Sequence, residues 1–229
     1  MPSKAAEGAV PAAPRRLTDR TASREVRRQQ LIESTIAEIA ENGLAGFKLS
    51  EVAKRAGLAT GMVNFHFTSK AQLLDQTLEF LTEEYRQCWK QALSAAGSDP
   101  AARLLALMMA DLDPVVCTRK RIAVWHAFYG ESRAQKAILE RCAQREEEHD
   151  RELTAACQAV IGRQSKGAAC HAIGAERLAT GLSAMTDGIW LDLLFSAGQI
   201  DRAEGRRTVL AFLVVIFPAE YSLEQTAAA

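Results

Sequence analysis

The sequence predicts an all-α protein, and three observations support this fold class. Apolar residues recur at a spacing close to 3.6, no segment alternates apolar and polar residues for long, and short breaks rich in glycine and proline separate the helical patterns. With 229 residues and 48% hydrophobic content, the chain can form one large domain or two small ones. Its 28 basic and 28 acidic residues cancel, but residues 1–70 carry 11 and 7 of them. This positive N-terminal part is expected to meet a negatively charged partner.

Residues 1–22 are predicted to form a flexible basic arm. The first 14 residues are rich in Ala, Pro, Gly and Ser, and arginines then crowd positions 15–28, namely Arg15, Arg16, Arg20, Arg24, Arg27 and Arg28. Such a run forms either a solvated face or an arm that seeks phosphates. Ser23 is an N-cap residue type for an amphipathic first helix that carries Leu31, Ile32, Ile36 and Ile39. Asn42-Gly43 ends this pattern.

Residues 49–67 have the layout of a helix-turn-helix, within a domain predicted to span 23–70. The apolar contacts between its two short helices come from Val52, Ala56, Leu58 and Val63. Gly57 supplies the turn, because glycine enters the left-handed region without strain. A second helix over 60–65 would present its exposed side chains to a DNA major groove. A helical hairpin without DNA contacts has the same spacing and is the alternative.

The motif resembles the N-terminal signature of the TetR family of bacterial repressors. The matching residues are Val52-Ala53-Lys54-Arg55-Ala56-Gly57-Leu58, then Gly61, Phe67, Lys70, Leu73 and Leu74. The resemblance is specific over about residues 30–75, and it implies a three-helix DNA-binding domain joined to a helical ligand-binding and dimerisation domain. Asn64 and Ala59 depart from the family pattern, and Lys48 stands where the family usually has a capping Thr.

Side-chain chemistry assigns roles on the second helix. Asn64 can bond adenine in a bidentate manner, and Met62 and Ala59 can contact thymine methyl groups. Thr60 and Lys70 are predicted phosphate contacts, whereas His66 is expected to be a half-buried packing residue. The predicted DNA-binding residues are Ala59, Thr60, Met62, Asn64, Phe65, Lys70, Arg27 and Arg28.

The C-terminal domain, residues 71–229, is predicted to be entirely helical. Its helices are expected at about 70–95, 100–112, 118–130, 134–163, 174–196 and 201–217. The run 145–151 is charged all round and predicts a solvent-exposed middle of a long helix. The last two helices are the most apolar. The family resemblance implies that 174–217 pairs with a second copy in a homodimer that sets two reading helices on a palindromic operator. The alternative is a core helix of a monomer.

A ligand site is suggested by two aromatic segments. Stretches 123–133 and 186–194 resemble the choline-responsive BetI-like subgroup, which implies choline or another quaternary ammonium compound as the effector. Independently, an aromatic face beside carboxylates suits a cation that cannot donate a hydrogen bond. The candidate residues are Trp125, Phe128, Tyr129, Glu131, Asp187 and Trp190. The alternatives are a core stripe at the same spacing, and a different small cationic or apolar effector.

Other classes of protein are disfavoured. The longest apolar run, 209–217, is too short to cross a bilayer, and no apolar stretch follows the N-terminus, so a cytoplasmic location is expected. Five dispersed cysteines fit reduced core thiols better than disulfides or a zinc site. No nucleophile, phosphate-binding, dinucleotide or metalloprotease motif is present, so we predict neither an enzyme nor a cofactor. A helical interaction protein that does not bind DNA is the remaining alternative.

Overall fold

The computed structural model describes residues 17–132, 136–196 and 201–222, without the side chains of 17–23, 132–139 and 141–146. Each regular element in these ranges is an α-helix, which confirms the predicted fold class for this part of the chain. The helices are α1 (Leu17–Gly46), α2 (Leu49–Arg55), α3 (Thr60–His66), α4 (Lys70–Ala96), α5 (Pro100–Ala110), α6 (Arg119–Ser132), α7 (Lys136–Ile161), α8 (Ala169–Ile173), α9 (Ala175–Phe195) and α10 (Arg202–Ile216).

The predicted helix boundaries lie within a few residues of the observed ones, with two differences. Helix α1 begins at Leu17 rather than after Ser23, since extending a formed helix costs less than starting one. Residues 17–22 of the predicted arm are therefore helical, and residues 1–16 lie outside the described residues. The five-residue α8 was not predicted because it is too short to show a periodic pattern.

The N-terminal domain is built from α1, α2 and α3 around a small apolar core. Its buried side chains include Leu31, Ile36, Ile39, Val52, Ala53, Val63 and Phe67. An ion pair reinforces the packing of α2 on α1: the Arg55 Nε atom donates to Glu38 Oε2 at 2.9 Å, and the Glu38 side chain is 1% exposed. Arg55 also binds Glu41, and these hydrogen bonds raise the pKa of Arg55. The orientation of α2 is thus fixed by charge as well as by apolar contact.

The larger domain comprises α4 to α10. Helix α7 packs on α9, α5 and α6, while α4 packs on α5 and α7. Helix α10 approaches α9 closely at Gly205, where a Cβ atom would lie 2.8 Å from Ile189 Cγ2. Glycine is therefore required for this crossing of α10 on α9. At the end of the described chain, the Tyr221 hydroxyl donates to the Ala101 carbonyl oxygen at 2.8 Å and ties residues after α10 to α5.

The two domains meet where α6 and α4 pack on α1. Arg121 on α6 bridges this junction: its Nη1 and Nη2 atoms donate to the Glu33 carboxylate at 3.0 and 2.9 Å. Its Nε and Nη2 atoms donate to the Glu84 carboxylate, each at 2.9 Å. The Arg121 side chain is only 12% exposed. Four charge-assisted hydrogen bonds therefore join α1, α4 and α6 at one guanidinium.

Arg121→Met should lower the free energy of unfolding by about 2–3 kcal/mol, since it leaves the shielded Glu84 carboxylate without this partner. Arg207→Met is the matched control, because the Arg207–Glu204 pair within α10 is half exposed and worth under about 1 kcal/mol. Urea denaturation of both variants measures the difference. Equal losses would show that the Arg121 bridge adds nothing beyond an ordinary surface pair.

Candidate functional site

The turn between α2 and α3 has the geometry that the motif predicts. Gly57 adopts a φ of +66°, in the left-handed region that glycine enters without strain. The Leu58 amide donates to the Ala53 carbonyl oxygen at 2.9 Å, which closes the end of α2. Val52, Ala53 and Val63 are buried between the helices. This packing leaves the opposite face of α3 to solvent.

That free face of α3 carries most of the predicted DNA-binding residues. Ala59, Thr60, Asn64 and Phe65 are exposed, and Met62 is half-buried. Lys70 is also exposed, at the first position of α4 directly after the N-cap Ser69. Its Nζ atom lies 5.0 Å from the centroid of the Phe47 ring. Thr60, Asn64 and Lys70 thus offer exposed polar side chains on α3 and at the start of α4, together with the apolar Ala59, Met62 and Phe65.

The two arginines predicted on α1 differ in their surroundings. Arg27 is exposed, whereas Arg28 is half-buried and donates from Nη2 to Gln76 Oε1 at 2.8 Å, which ties α1 to α4. Arg24, which the sequence analysis left among the general basic run, lies with its guanidinium carbon 5.6 Å from the centroid of the exposed Phe65 ring. Arg24 therefore adds a positive charge beside α3, while Arg28 holds the first helix in place.

His66 is half-buried next to Phe65 and Phe67, which agrees with the packing role expected for it. Burial lowers the pKa of His66, and the nearby positive charges of Arg24, Arg27 and Arg28 lower it further. A histidine whose pKa is lowered stays neutral near pH 7. His66 therefore contributes packing rather than charge to this surface.

A second candidate site is a polar cavity of about 110 Å³ between α4, α5, α7 and α9. Its lining residues are Tyr85, Asp111, His149, Asp150, Ser183, Thr186, Asp187 and Trp190. They come from four segments that are far apart in the sequence. Three carboxylates and two large aromatic rings thus surround one small space.

Asp111, directly after α5, organises this cavity. The Tyr85 hydroxyl donates to Asp111 Oδ1 at 2.7 Å, and the Trp190 Nε1 atom donates to the Asp111 carbonyl oxygen at 2.7 Å. The side chain of Asp111 is 7% exposed. Two aromatic side chains are therefore anchored around one shielded carboxylate, which is a suitable environment for a cation.

The predicted ligand residues divide into two groups. Asp187 and Trp190 line the cavity. Trp125 and Phe128 are 1% and 0% exposed in the core of α6, where Trp125 stacks on Tyr129 at 6.0 Å between ring centroids. Neither these three aromatic residues nor Glu131 are among the residues that line this cavity. The structure thus places the aromatic face of α6 in the protein core, which is the alternative that its helical spacing left open.

His149 corrects the expectation that the charged run 145–151 is exposed throughout. It is 4% exposed and packs against the rings of Tyr85 and Trp89, at 5.5 and 6.0 Å between centroids. Among the described side chains of α7, His149 shares a buried stripe with Leu153, Ala156, Cys157 and Val160. This stripe was the signal in the sequence that could have placed His149 inside. Tyr85 and Asp111 were missed because nothing local distinguishes them.

The apolar C-terminal helices present a third surface. The large exposed apolar residues are Leu191 and Phe195 on α9, spaced i, i+4, and Phe212 and Val215 on α10, spaced i, i+3. Helices α9 and α10 pack on each other. Leu213, at the centre of the apolar run, is 0% exposed and belongs to the core of its own protomer. Phe212 and Val215, rather than Leu213, are thus available to a second copy.

The cysteines in the described part of the chain are free thiols. Cys88, Cys117, Cys157 and Cys170 make no disulfide there, and the side chain of Cys142 lies outside the described residues. Burial raises the pKa of Cys88, Cys117 and Cys157 to about 12. Among the described helices, none is both long and apolar enough to span a membrane.

The chain combines a helix-turn-helix whose second helix is exposed with a larger helical part that encloses a small cavity. This layout is typical of a DNA-binding regulator. Comparison with known proteins supports this class. Residues 31–77 match the family model of bacterial regulatory proteins of the tetR family, and residues 100–218 match that of the BetI-type transcriptional repressor C-terminal domain.

Curated relatives and solved structures agree with the family models. The HTH-type transcriptional regulator BetI of Paraburkholderia xenovorans is 32% identical over 84% of this chain and 94% of its own length. A transcriptional regulator from Rhodococcus sp. Rha1 superposes with a TM-score of 0.68 at 25% identity, over 84% of this chain and 96% of that one. A putative regulator from Saccharomonospora viridis, solved in complex with choline, gives 0.68 at 18% identity, over 82% and 96%. The chain belongs to the TetR family of transcriptional regulators, with a BetI-type C-terminal domain.

If Asn64 makes the predicted bidentate base contact, Asn64→Ala should weaken binding to the operator by about 1–3 kcal/mol and relax the preference at one base pair per half-site. If Lys70 makes the predicted phosphate contact, Lys70→Ala should weaken binding to all DNA sequences alike and reduce the salt dependence. Fluorescence anisotropy with specific and random duplexes separates the two effects.

Lys166→Ala is the control for charge, because Lys166 is exposed in the segment between α7 and α8. It should change neither affinity. If Asn64→Ala lowers the affinity for specific and random DNA equally, the assignment of Asn64 as a base-contacting residue is wrong.

Proposed function

We propose that this regulator is a repressor that binds a palindromic operator as a homodimer, and that its DNA binding changes when a small cation occupies the cavity around Asp111. The observation that carries the proposal is the shared helix α4. It begins at Lys70 beside α3 and contributes Tyr85 to the cavity wall. Any ligand that moves Tyr85 acts on the helix that supports the DNA-reading surface.

A cationic effector is supported by the charge of the cavity wall. Asp111, Asp150 and Asp187 contribute carboxylates, while Tyr85 and Trp190 contribute ring faces. A quaternary ammonium ion is attracted to carboxylates and aromatic rings without needing a hydrogen-bond acceptor. The choline complex of the Saccharomonospora viridis regulator, which shares the fold, supports the same class of ligand. Choline is therefore the effector that we propose.

The dimensions of the site agree with a small ligand. A volume of about 110 Å³ is well below the roughly 300–1,000 Å³ of sites for drug-sized molecules. Asp150 also lines an open groove formed by α7 and the start of α9, together with Arg151, Ile173 and Glu176. Because the groove and the cavity share Asp150, we infer that a ligand enters the cavity through the groove. A bulky apolar effector, the second candidate, would need the larger groove instead.

The response follows from a difference in affinity. A ligand shifts the population of DNA-competent dimers by no more than its differential affinity for the two conformations. Arg121 links α6 to Glu33 on α1 and Glu84 on α4, so that α4 and α1 move together. We infer that a cation that contacts Tyr85 changes, through this link, the relative position of the two α3 helices in the dimer.

The homodimer is supported by the exposed apolar residues of α9 and α10. Phe195 and Val215 are 75% and 80% exposed, which is costly for large apolar side chains that stay in water. Pairing the 174–217 region with a second copy would cover them. A symmetric pair of copies would also present two α3 helices to two half-sites.

Trp190→Phe should weaken choline binding by at least about tenfold, because it removes an indole ring from the cavity and the hydrogen bond to Asp111. Trp125→Phe is the matched control, since Trp125 lies in the core of α6 and should retain the affinity. Isothermal titration calorimetry measures binding, and a gel shift with and without choline measures the response. A choline affinity lost in Trp125→Phe but kept in Trp190→Phe would place the site on α6 instead.

Phe212→Glu should convert the dimer into a folded monomer, because a charge opposes the pairing of two apolar helix faces. Operator binding should become much weaker, because a single DNA-binding domain lacks the effective concentration that the second domain of a dimer supplies. Val115→Glu is the control, because Val115 is 55% exposed, close to the 54% of Phe212, but lies outside α9 and α10. Leu213→Glu should unfold the protomer. Light scattering and circular dichroism separate these outcomes, and a dimeric Phe212→Glu protein contradicts the proposed interface.

A further inference from the structure

His149 is a buried polar side chain whose role is not explained by packing alone. Its side chain is 5% exposed, and its Nε2 atom has no hydrogen-bond partner among the described residues. Burying a hydrogen-bonding nitrogen without a partner is unfavourable. The ring is held between Tyr85 and Trp89, and it lines the cavity that Asp111 organises. The unmatched atom therefore lies at a site that already has the features of a binding pocket.

The nearest acidic atom to His149 Nε2 is too far away for a direct bond. Asp111 Oδ1 lies 3.9 Å from it, beyond hydrogen-bond distance. Asp111 Oδ1 accepts one hydrogen bond, from the Tyr85 hydroxyl, and a carboxylate oxygen has a second lone pair. One oxygen atom can stand about 2.8 Å from both Nε2 and Oδ1, which is ordinary hydrogen-bond length. The pair thus leaves a gap of a size that one polar atom of a ligand can fill.

We propose that His149 and Asp111 together read a hydroxyl group on the cationic effector. The hydroxyl donates its proton to Asp111 Oδ1 and accepts a hydrogen bond from His149 Nε2–H. A hydroxyl can do both at once, because it has one donor and two acceptor sites. The ligand class is a small quaternary ammonium alcohol. This inference rests on the proposed function and adds to it the residues that set ligand specificity.

The same arrangement excludes related cations. An alkyl group in place of the hydroxyl leaves the buried Asp111 and His149 atoms without the partner that the ligand would supply, and such loss is strongly unfavourable in a buried site. A carboxylate in place of the hydroxyl would lie against Asp111, with Asp150 and Asp187 in the same wall. Like charges repel most strongly where water is scarce, as at Asp111, whose side chain is 7% exposed. Only the neutral hydroxyl satisfies both atoms of the gap.

The test compares choline with propyltrimethylammonium, in which a methyl group replaces the hydroxyl at nearly the same size. Isothermal titration calorimetry on the full-length protein should show choline bound at least about tenfold more tightly, which corresponds to one lost hydrogen bond in a buried site. This comparison uses the unaltered protein and so does not depend on the folding of any variant.

His149→Phe keeps an aromatic ring between Tyr85 and Trp89 but removes Nε2. It should lower the preference for choline over propyltrimethylammonium by at least about threefold, mainly by weakening choline binding. His126→Phe is the matched control. His126 is half-buried on α6, its Nε2 atom also has no hydrogen-bond partner among the described residues, and it does not line the cavity. This control should keep the preference of the unaltered protein.

Each outcome decides between distinct failures. Equal binding of choline and propyltrimethylammonium, or a preference that survives in His149→Phe, overturns the reading of the hydroxyl but leaves a cationic effector in place. If neither cation binds the unaltered protein, the proposed effector class fails and this inference fails with it. The operator gel shift without ligand is independent of both, and it tests DNA binding alone.

Discussion

The position of α1 relative to α4 and α6 depends on the guanidinium group of Arg121. It contacts Glu33 on α1 and Glu84 on α4 from α6, with only 12% of its side chain exposed. A shielded charge of this kind is costly unless all its partners are in place, so α1, α4 and α6 are held in one arrangement or must rearrange together. Packed elements that can rearrange only together pass a small change at one site to another as a discrete step.

The cavity follows a similar principle on a smaller scale. The shielded Asp111 carboxylate accepts from Tyr85, and its carbonyl oxygen accepts from Trp190, so a single residue after α5 sets the positions of rings on α4 and α9. The first of these contacts involves α4, the helix that also carries Lys70. The proposed preference for a cation and the proposed connection to the DNA-binding surface therefore rest on the same few residues.

The helix-turn-helix of α2 and α3 was predictable from the sequence, because its signals are local. Gly57 must adopt a positive φ, and the apolar spacing around Val63 leaves one face of α3 to solvent. The cavity was only half predictable. Trp190 was identified, but Tyr85, Asp111 and His149 lie on separate helices, and only tertiary packing brings them together. The apolar run 209–217 was expected to be covered, but a run without polar residues does not show which side faces the protomer and which faces a second copy. Leu213 and Phe212 could therefore not be distinguished.

Helix α4 runs unbroken for 27 residues from Lys70 to Ala96, a rod of roughly 40 Å at 1.5 Å per residue. Tyr85 and Trp89 lie near the middle of this helix, and Lys70 lies at its start. When the helix tilts about its middle, the displacement of a residue therefore grows with its distance from the middle and is largest at the ends. With Tyr85 as the pivot, the start of α4 lies about 22 Å away, so a tilt of about 8° displaces it by about 3 Å, roughly a hydrogen-bond length. In a dimer two such rods would tilt in opposite senses, and the distance between the heads would change by twice the displacement of one.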